Sequence, residues 1–347
     1  MLQSRLLAET VSLAASDRVL ILNSAADPFL TQTIQRVTSG TITLAEDNVA
    51  TIAALVPVLQ ASSHIQHVAF HDYILHYPAG TMDVAVMNLL YQPSNAWMHY
   101  GLQVALYALR PGGRLYVVGA KDRGILSIEK RMREVFGHVE TLQISKGQRA
   151  LCSQKSTQKS INIQQSVPES LARLSELPLL QVFAGNKLDE GTRLLLEVLE
   201  VRATDVALDL GCGAGTIGLY IAQQATQGRV TMVDASLTAV AVAQRAVEQS
   251  QLTNVLVLPS DGAQAVLDQR FDLVATNPPF HQGGIQTTAI AERFIRQAAQ
   301  VLRPQGRFYL VANRFLKYEP TLRACFKTLE EVGGDTRYKV LRARFPI

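Results

Sequence analysis

The residues richest in chemistry stand late in the chain, as Asn277-Pro278-Pro279-Phe280. Two successive prolines stiffen the backbone and carry no N–H, so this loop presents bare carbonyls. Together the Asn277 side-chain carbonyl and the Pro278 backbone carbonyl form a site that accepts hydrogen bonds. Such a site suits an exocyclic amine conjugated to a ring, whose lone pair is delocalised into the π-system. Holding both amine hydrogens on carbonyls aims that lone pair at an incoming electrophile. Phe280 adds a flat face for a base, a contact worth about 1–3 kcal/mol. A base inside a helix would have to be flipped out or already unpaired. His281 follows as a rim residue rather than a general base.

Upstream, Asp209-Leu210-Gly211-Cys212-Gly213-Ala214-Gly215 separates a β-rich run from a helical pattern that begins at Thr216. Gly211, Gly213 and Gly215 let the backbone turn sharply and approach a ligand without β-carbons in the way. Dinucleotide enzymes use similar spacing. Asp209, inside the strand end, would repel a pyrophosphate but welcome a cationic methionine moiety, through its amine or a bridging water. Asp234, ending the next strand, can accept from both ribose hydroxyls, and Asp261, ending the third, from an adenine amine. Asp261-Gly262 also reads as a plain turn before a helix start. The cofactor this set implies is S-adenosyl-L-methionine. No covalent nucleophile is required, because that cofactor carries its own leaving group.

Strands must carry these loops. From residue 201 onward, short β-rich runs alternate with helical patterns, as in a doubly wound parallel sheet. The strand candidates are Asp205–Leu210, Arg229–Asp234, Val255–Pro259, Phe271–Thr276 and Gly306–Ala312. The first half repeats the cadence at Arg18–Asn23, Thr41–Leu44, His67–Phe70, Met82–Met87 and Gly113–Gly119. Met82–Asn88 echoes Phe271–Asn277, and Leu109–Arg114 echoes Leu302–Arg307. Aligning Leu22 with Asp209 places Glu46 and Asp72 at offsets 24 and 50, against 25 and 52 for Asp234 and Asp261. Asn88 and Asn277 then stand at 66 and 68.

The fold expected is therefore α/β: two tandem Rossmann-like class I methyltransferase domains from an internal duplication, the N-terminal one degenerate. In that alignment Ser24, Ala26 and Pro28 replace the glycines, and Leu89-Leu90-Tyr91 replaces Pro278–Phe280. Lys155–Val167, rich in Ser, Gln and Lys, reads as a connector. The boundary falls near residue 165, giving a degenerate domain over 1–165 and a catalytic domain over 166–347.

Composition narrows the remainder. A length of 347 residues favours two domains. No stretch approaches the roughly 20 apolar residues of a membrane span. The N-terminus lacks a signal-peptide pattern, so a cytoplasmic protein is expected. Cys152, Cys212 and Cys325 fit neither a disulfide framework nor a zinc site, and no metal is expected. The net charge of +4 permits a polyanionic partner without demanding one.

With both motifs in place, the chain resembles the bacterial small-subunit ribosomal RNA guanine-N2 methyltransferases of the RsmC type. The resemblance spans nearly the whole chain and includes Phe183–Thr192 and the closing run Asn313-Arg314-Phe315-Leu316-Lys317-Tyr318. It implies methylation of a guanine N2 in 16S ribosomal RNA, within the small subunit or an assembly intermediate, by a monomer. The N-terminal domain would aid RNA binding or folding of its partner domain. The segment around Leu188, Asp189 and Gly191 would lie over the cofactor. The catalytic motifs also occur in adenine-N6 and protein glutamine-N5 methyltransferases; the latter act on translation factors and carry a helical N-terminal domain, whereas this first half reads α/β. A non-catalytic RNA-binding assembly factor is a further alternative.

For RNA contact, Arg293 and Arg314 lie closer in sequence to the acceptor loop than the basic segments near residues 121–133 and 337–344 do. Lys121 and Arg123 belong to the densest basic segment of the first half, with Lys130, Arg131 and Arg133. A solvated helix face paired with Glu129 and Glu134 explains that segment equally well. Arg337, Lys339, Arg342 and Arg344 read either as RNA contacts or as guards of an exposed strand edge.

Overall fold

The computed structural model describes residues 2–157, 189–279, 281–282, 285–286 and 288–347. The chain divides into two compact units, Met1–Leu180 and Gln181–Ile347. The boundary expected near residue 165 lies outside the described residues, as do Leu188 and Phe280.

The first unit holds β1 (Arg18–Leu22), β2 (Thr41–Glu46), β3 (Ile65–Ala69), β4 (Met82–Asn88), β5 (Leu109–Ala120), β6 (Glu140–Ser145) and β7 (Gln148–Gln154). They form one sheet in the order β3-β2-β1-β4-β5-β7-β6. The second unit holds β8 (Val206–Leu210), β9 (Arg229–Asp234), β10 (Val255–Pro259) and β11 (Phe271–Thr276). A short antiparallel pair follows, β12 (His281–Gln282) with β13 (Ile285–Gln286), and then β14 (Leu302–Asn313), β15 (Phe326–Gly334) and β16 (Tyr338–Pro346). The main sheet runs β10-β9-β8-β11-β14-β16-β15, the same order as in the first unit. In each sheet five strands are parallel and a terminal hairpin is antiparallel.

Helices cover both faces of the parallel strands, so successive side chains bury on opposite sides. In the second unit Leu208, Leu210, Val274, Phe308 and Leu310 join one core cluster. Ala207, Leu273, Ala275, Tyr309 and Val311 join the other. That double burial explains why β9 and β11 read as mostly apolar runs, whereas β10, at the sheet edge, leaves Leu256 exposed.

Sheet register corrects the alignment of the halves by one residue. Ile21 pairs with Leu44 and Val86, as Asp209 pairs with Met232 and Ala275. Ile21, not Leu22, is thus the counterpart of Asp209. The glycine counterparts become Asn23, Ala25 and Asp27. Because Glu46 pairs with Ala69 as Asp234 pairs with Pro259, His71 rather than Asp72 matches Asp261. Asn88 remains the counterpart of Asn277.

Candidate active site

Every parallel strand of the second unit delivers its carboxyl end to one edge, where the loops expected to do chemistry converge. Past β8 the backbone folds back so that the Gly211 and Cys212 N–H groups both donate to Val233 O, each at 2.9 Å. Gly211, Gly213 and Gly215 take φ values of 76°, 54° and 84°. A β-carbon on Gly211 would lie 2.9 Å from the Phe294 ring, and one on Gly215 3.3 Å from Ala243 and Met232. Packing as well as turning thus selects glycine here.

Asp209 is fully buried. Its Oδ2 accepts the Gly218 N–H at 2.7 Å, while Oδ1 is buried with no partner among the described residues. Burial pushes the carboxyl up to about 7, with the Gly218 amide pulling the other way and the charge of Asp234 adding to the rise. A buried carboxylate oxygen without a donor calls for a cation or an N–H. The ammonium end of S-adenosylmethionine supplies both. Asp234, at the end of β9, accepts from Gly213 N–H and Ser236 N–H, each at 2.9 Å. Burial raises its carboxyl and these amides oppose the rise. A carboxylate has about four acceptor sites, so capacity remains for a ribose hydroxyl. On these grounds the residues fit the cofactor.

Asp261 holds Arg293 as a bidentate ion pair, with N···O distances of 2.7 and 2.6 Å. Arg293, though 40% exposed, is thus paired with a carboxylate just past the end of β10 and is not an isolated cation. Arg314 is likewise engaged: Nε donates to Asp335 O at 2.5 Å and an Nη to Glu331 at 2.8 Å. Lys339 is buried on Glu319, and Arg342 spans Glu200 and Glu330 at 2.6 Å each. The basic residues of β16 thus serve the sheet. In the first unit, Arg131 and Arg133 pair with Glu134 and Glu129. Lys121 and Arg123 have no carboxylate partner among the described residues.

Asn277 follows β11 directly. Its Nδ2 donates to Asp189 Oδ2 at 2.7 Å and to Thr192 Oγ1 at 2.9 Å. Asp189 in turn caps the helix Glu190–Val198 by accepting the Thr192 N–H. Pro278 is buried and Pro279 half-buried. A pocket opens beside Asn277 and Pro278, with Asp189, Asn313, Tyr318 and Tyr338 in its walls. Tyr318 is fully buried, yet its hydroxyl has no partner among the described residues. Sequence reasoning gave Thr192 and Tyr318 no role of their own, although both stand in the runs that carry the family resemblance. The Asp-x-x-Thr spacing of a helix cap was the one available sign for Thr192, and nothing local marks an orphaned phenol.

At the matching edge of the first unit the cleft is filled from within. Ile21 stands where Asp209 does. All three donors near Glu46, the N–H groups of Ala25, Asp47 and Asn48, lie within 3.1 Å of its carboxylate. Asn88 Nδ2 donates to Asp27 at 2.7 Å, and Gln92 Nε2 sits 3.1–3.2 Å from the carbonyls of Leu22, Asn23 and Asn88. Asn23 keeps the turn that Gly211 makes, at φ 43°. Among the described residues no group of His, Cys, Asp and Glu could hold a metal, and no helix is long and apolar enough to cross a membrane.

Residues 4–165 match the family model "Methyltransferase small domain N-terminal", and residues 177–342 match "Methyltransferase small domain". A ribosomal RNA small subunit methyltransferase C of Shewanella loihica is 30% identical over 98% of both chains. A protein of the same name from Pseudomonas entomophila is 32% identical over 77% of this chain and 82% of its own. Among solved structures, the T. thermophilus 16S rRNA N2 G1207 methyltransferase, in complex with AdoMet and guanosine, superposes with a TM-score of 0.80. It is 29% identical and covers 99% of this chain and 92% of its own.

Proposed function

The chain belongs to the ribosomal RNA small subunit methyltransferase C family, built from paired methyltransferase small domains, and from that premise we infer that it methylates the exocyclic N2 of a guanine in 16S ribosomal RNA. The observation that carries this reading is the orientation of Asn277. Its amide nitrogen is turned onto Asp189 and Thr192, which leaves the carbonyl oxygen free for the pocket. Beside it the Pro278 carbonyl provides a second acceptor with no competing N–H in the loop. A guanine amino group offers two hydrogens to those oxygens.

Bound S-adenosylmethionine supplies an electrophilic methyl group and its own leaving group. The chain's residues do the rest. Asp209 Oδ1 would receive the ammonium end, the glycine loop would let the backbone approach, and Asp234 would take the ribose hydroxyls. Asn277 and Pro278 hold the amine hydrogens and stabilise the positive charge that N2 acquires during transfer. The buried Tyr318 hydroxyl faces a guanine ring edge, donating to an acceptor that adenine lacks or places differently. The cationic N2 formed by transfer then loses one proton to water, so no general base is needed at the moment of reaction.

Within this reading the chain acts as a monomer on the small subunit or an assembly intermediate. Its first unit, with its own cleft closed, contributes RNA contact or support for the second, and Lys121 and Arg123 touch phosphates. Incubation with methyl-labelled cofactor and small subunits, followed by nucleoside mass spectrometry, tests the assignment. N2-methylguanosine is expected. Label in a protein factor with none in RNA would overturn it.

A further inference from the structure

Family resemblance lays the segment around Asp189 over the cofactor, yet in the structure its side chains meet the acceptor residue. Asn277 Nδ2 donates to Asp189 Oδ2 at 2.7 Å and to Thr192 Oγ1 at 2.9 Å, so both amide hydrogens are consumed. A carboxylate can only accept, so the nitrogen must be the atom that faces it. Oδ1 of Asn277 is thereby forced to the opposite side. The same Asp189 Oδ2 takes the Thr192 N–H at 3.0 Å, which ties the amide to the first turn of a helix. Gly191 keeps the corner open: a β-carbon there would lie 3.1 Å from Asp189 Oδ2 and 3.4 Å from the Tyr338 ring.

The consequence is chemical as well as steric. A terminal amide rotates through two broad orientations when nothing holds it. The flipped one would point N–H donors at the acceptor amine and repel it. A carboxylate bonded to the amide N–H also polarises the group and enriches its oxygen. That oxygen is then a stronger acceptor as positive charge develops on the methylated nitrogen.

We propose that Asp189 and Thr192 are positioning residues that lock the Asn277 amide with its carbonyl toward the acceptor nitrogen. The proposal rests on the reading of Asn277 as the residue that receives the amine. Asp-x-Gly-Thr is accordingly a support for the Asn-Pro-Pro loop, brought to it across 85 residues of sequence.

Two variants separate anchoring from folding. Asp189→Ser retains a helix cap but is too short to reach Asn277. Thr192→Val keeps the shape and removes the hydroxyl. Both are assayed on small subunits for kcat and KM, with calorimetric cofactor affinity and melting temperature measured alongside. The expectation is a kcat about tenfold or more lower in Asp189→Ser and several-fold lower in Thr192→Val, with cofactor Kd within about twofold. Thr192→Ser restores the rate. Adding Asp189→Ser to Asn277→Ala costs no further rate, because the carboxylate acts through the amide. Full kcat in both single variants overturns the proposal, and so does cofactor affinity lost in step with kcat. Should Asp189→Ser fail to fold, the Thr192 pair decides alone. A wild type that leaves the RNA unmethylated defeats the functional reading itself, a result distinct from active variants.

Discussion

Gly218 donates its backbone N–H to Asp209 at 2.7 Å and thereby fixes one oxygen of a carboxyl whose other oxygen is buried without a partner. With the carboxyl pushed up to about 7 by burial, the free protein holds it largely protonated at pH 6. Receiving the cofactor's ammonium requires the carboxylate, so binding releases a proton. Affinity is expected to rise as pH increases from about 5.5, close to tenfold per unit, and to flatten above about 7. Calorimetry in buffers of different ionisation enthalpy measures the proton directly. Asp209→Asn should bind more weakly with a flat profile; a flat profile in the wild type would remove Asp209 from this role. The sign for stability is the reverse. A raised carboxyl stabilises the free fold fully at low pH, and that contribution is lost as pH rises through about 7.

Asn277→Ala is expected to lower kcat by about 10²–10³-fold, the scale of losing one preorganised group at a developing charge. Cofactor affinity should change little, since Asn277 bonds to Asp189 and Thr192 and not to the glycine loop. Asp234→Ala should show the opposite pattern, with weaker binding first and a rate recovered at saturating cofactor. Its loss also strips the Gly213 and Ser236 N–H groups of their acceptor. Steady-state kinetics against cofactor concentration distinguishes the two patterns.

How far the sequence carries depends on what each residue faces. The bounds of β9, β10 and β11 match the runs expected, because each is a short β-rich run set off by Gly228, Asn254, Ser260, Arg270 or Asn277. Both terminal hairpins escaped notice. Half-exposed strands such as Glu140–Ser145 and Phe326–Gly334 alternate polar and apolar residues too weakly to stand out. The duplication was legible but slipped by one residue, since loop lengths between the copies differ and only backbone pairing reveals which residue stands beside Val86 or Ala275. After correction, Ile21 to Glu46 and Asp209 to Asp234 span 25 residues each. Charge was the least legible property. Arg293 read as an RNA candidate and Arg342 as either an RNA contact or an edge guard, and both lie on carboxylates from distant segments.

Arg293 supplies a test of that last point. As a phosphate contact, its removal would weaken RNA binding and lower the salt slope by about 1. As the partner of Asp261, Arg293→Ala should leave RNA affinity and its salt dependence intact and weaken the cofactor several-fold, because the Asp261 carboxylate loses the fork that orients it. Filter binding across a salt series, together with cofactor calorimetry, reads both quantities. A reduced salt slope with unchanged cofactor affinity would return Arg293 to the RNA.

Tyr318 should reveal a site residue that costs the fold something. A buried hydroxyl with no partner destabilises by about 1–3 kcal/mol, and the Tyr318 hydroxyl is in that condition among the described residues. Tyr318→Phe removes one oxygen and keeps the ring within its apolar cluster. The free protein should therefore melt higher. If the hydroxyl meets the guanine, the same change should weaken the acceptor, raising KM for RNA about fivefold or more while the cofactor Kd holds. A higher melting temperature with unchanged KM would make Tyr318 a packing residue, and an unchanged melting temperature would mean that the hydroxyl already has a donor or acceptor within the pocket.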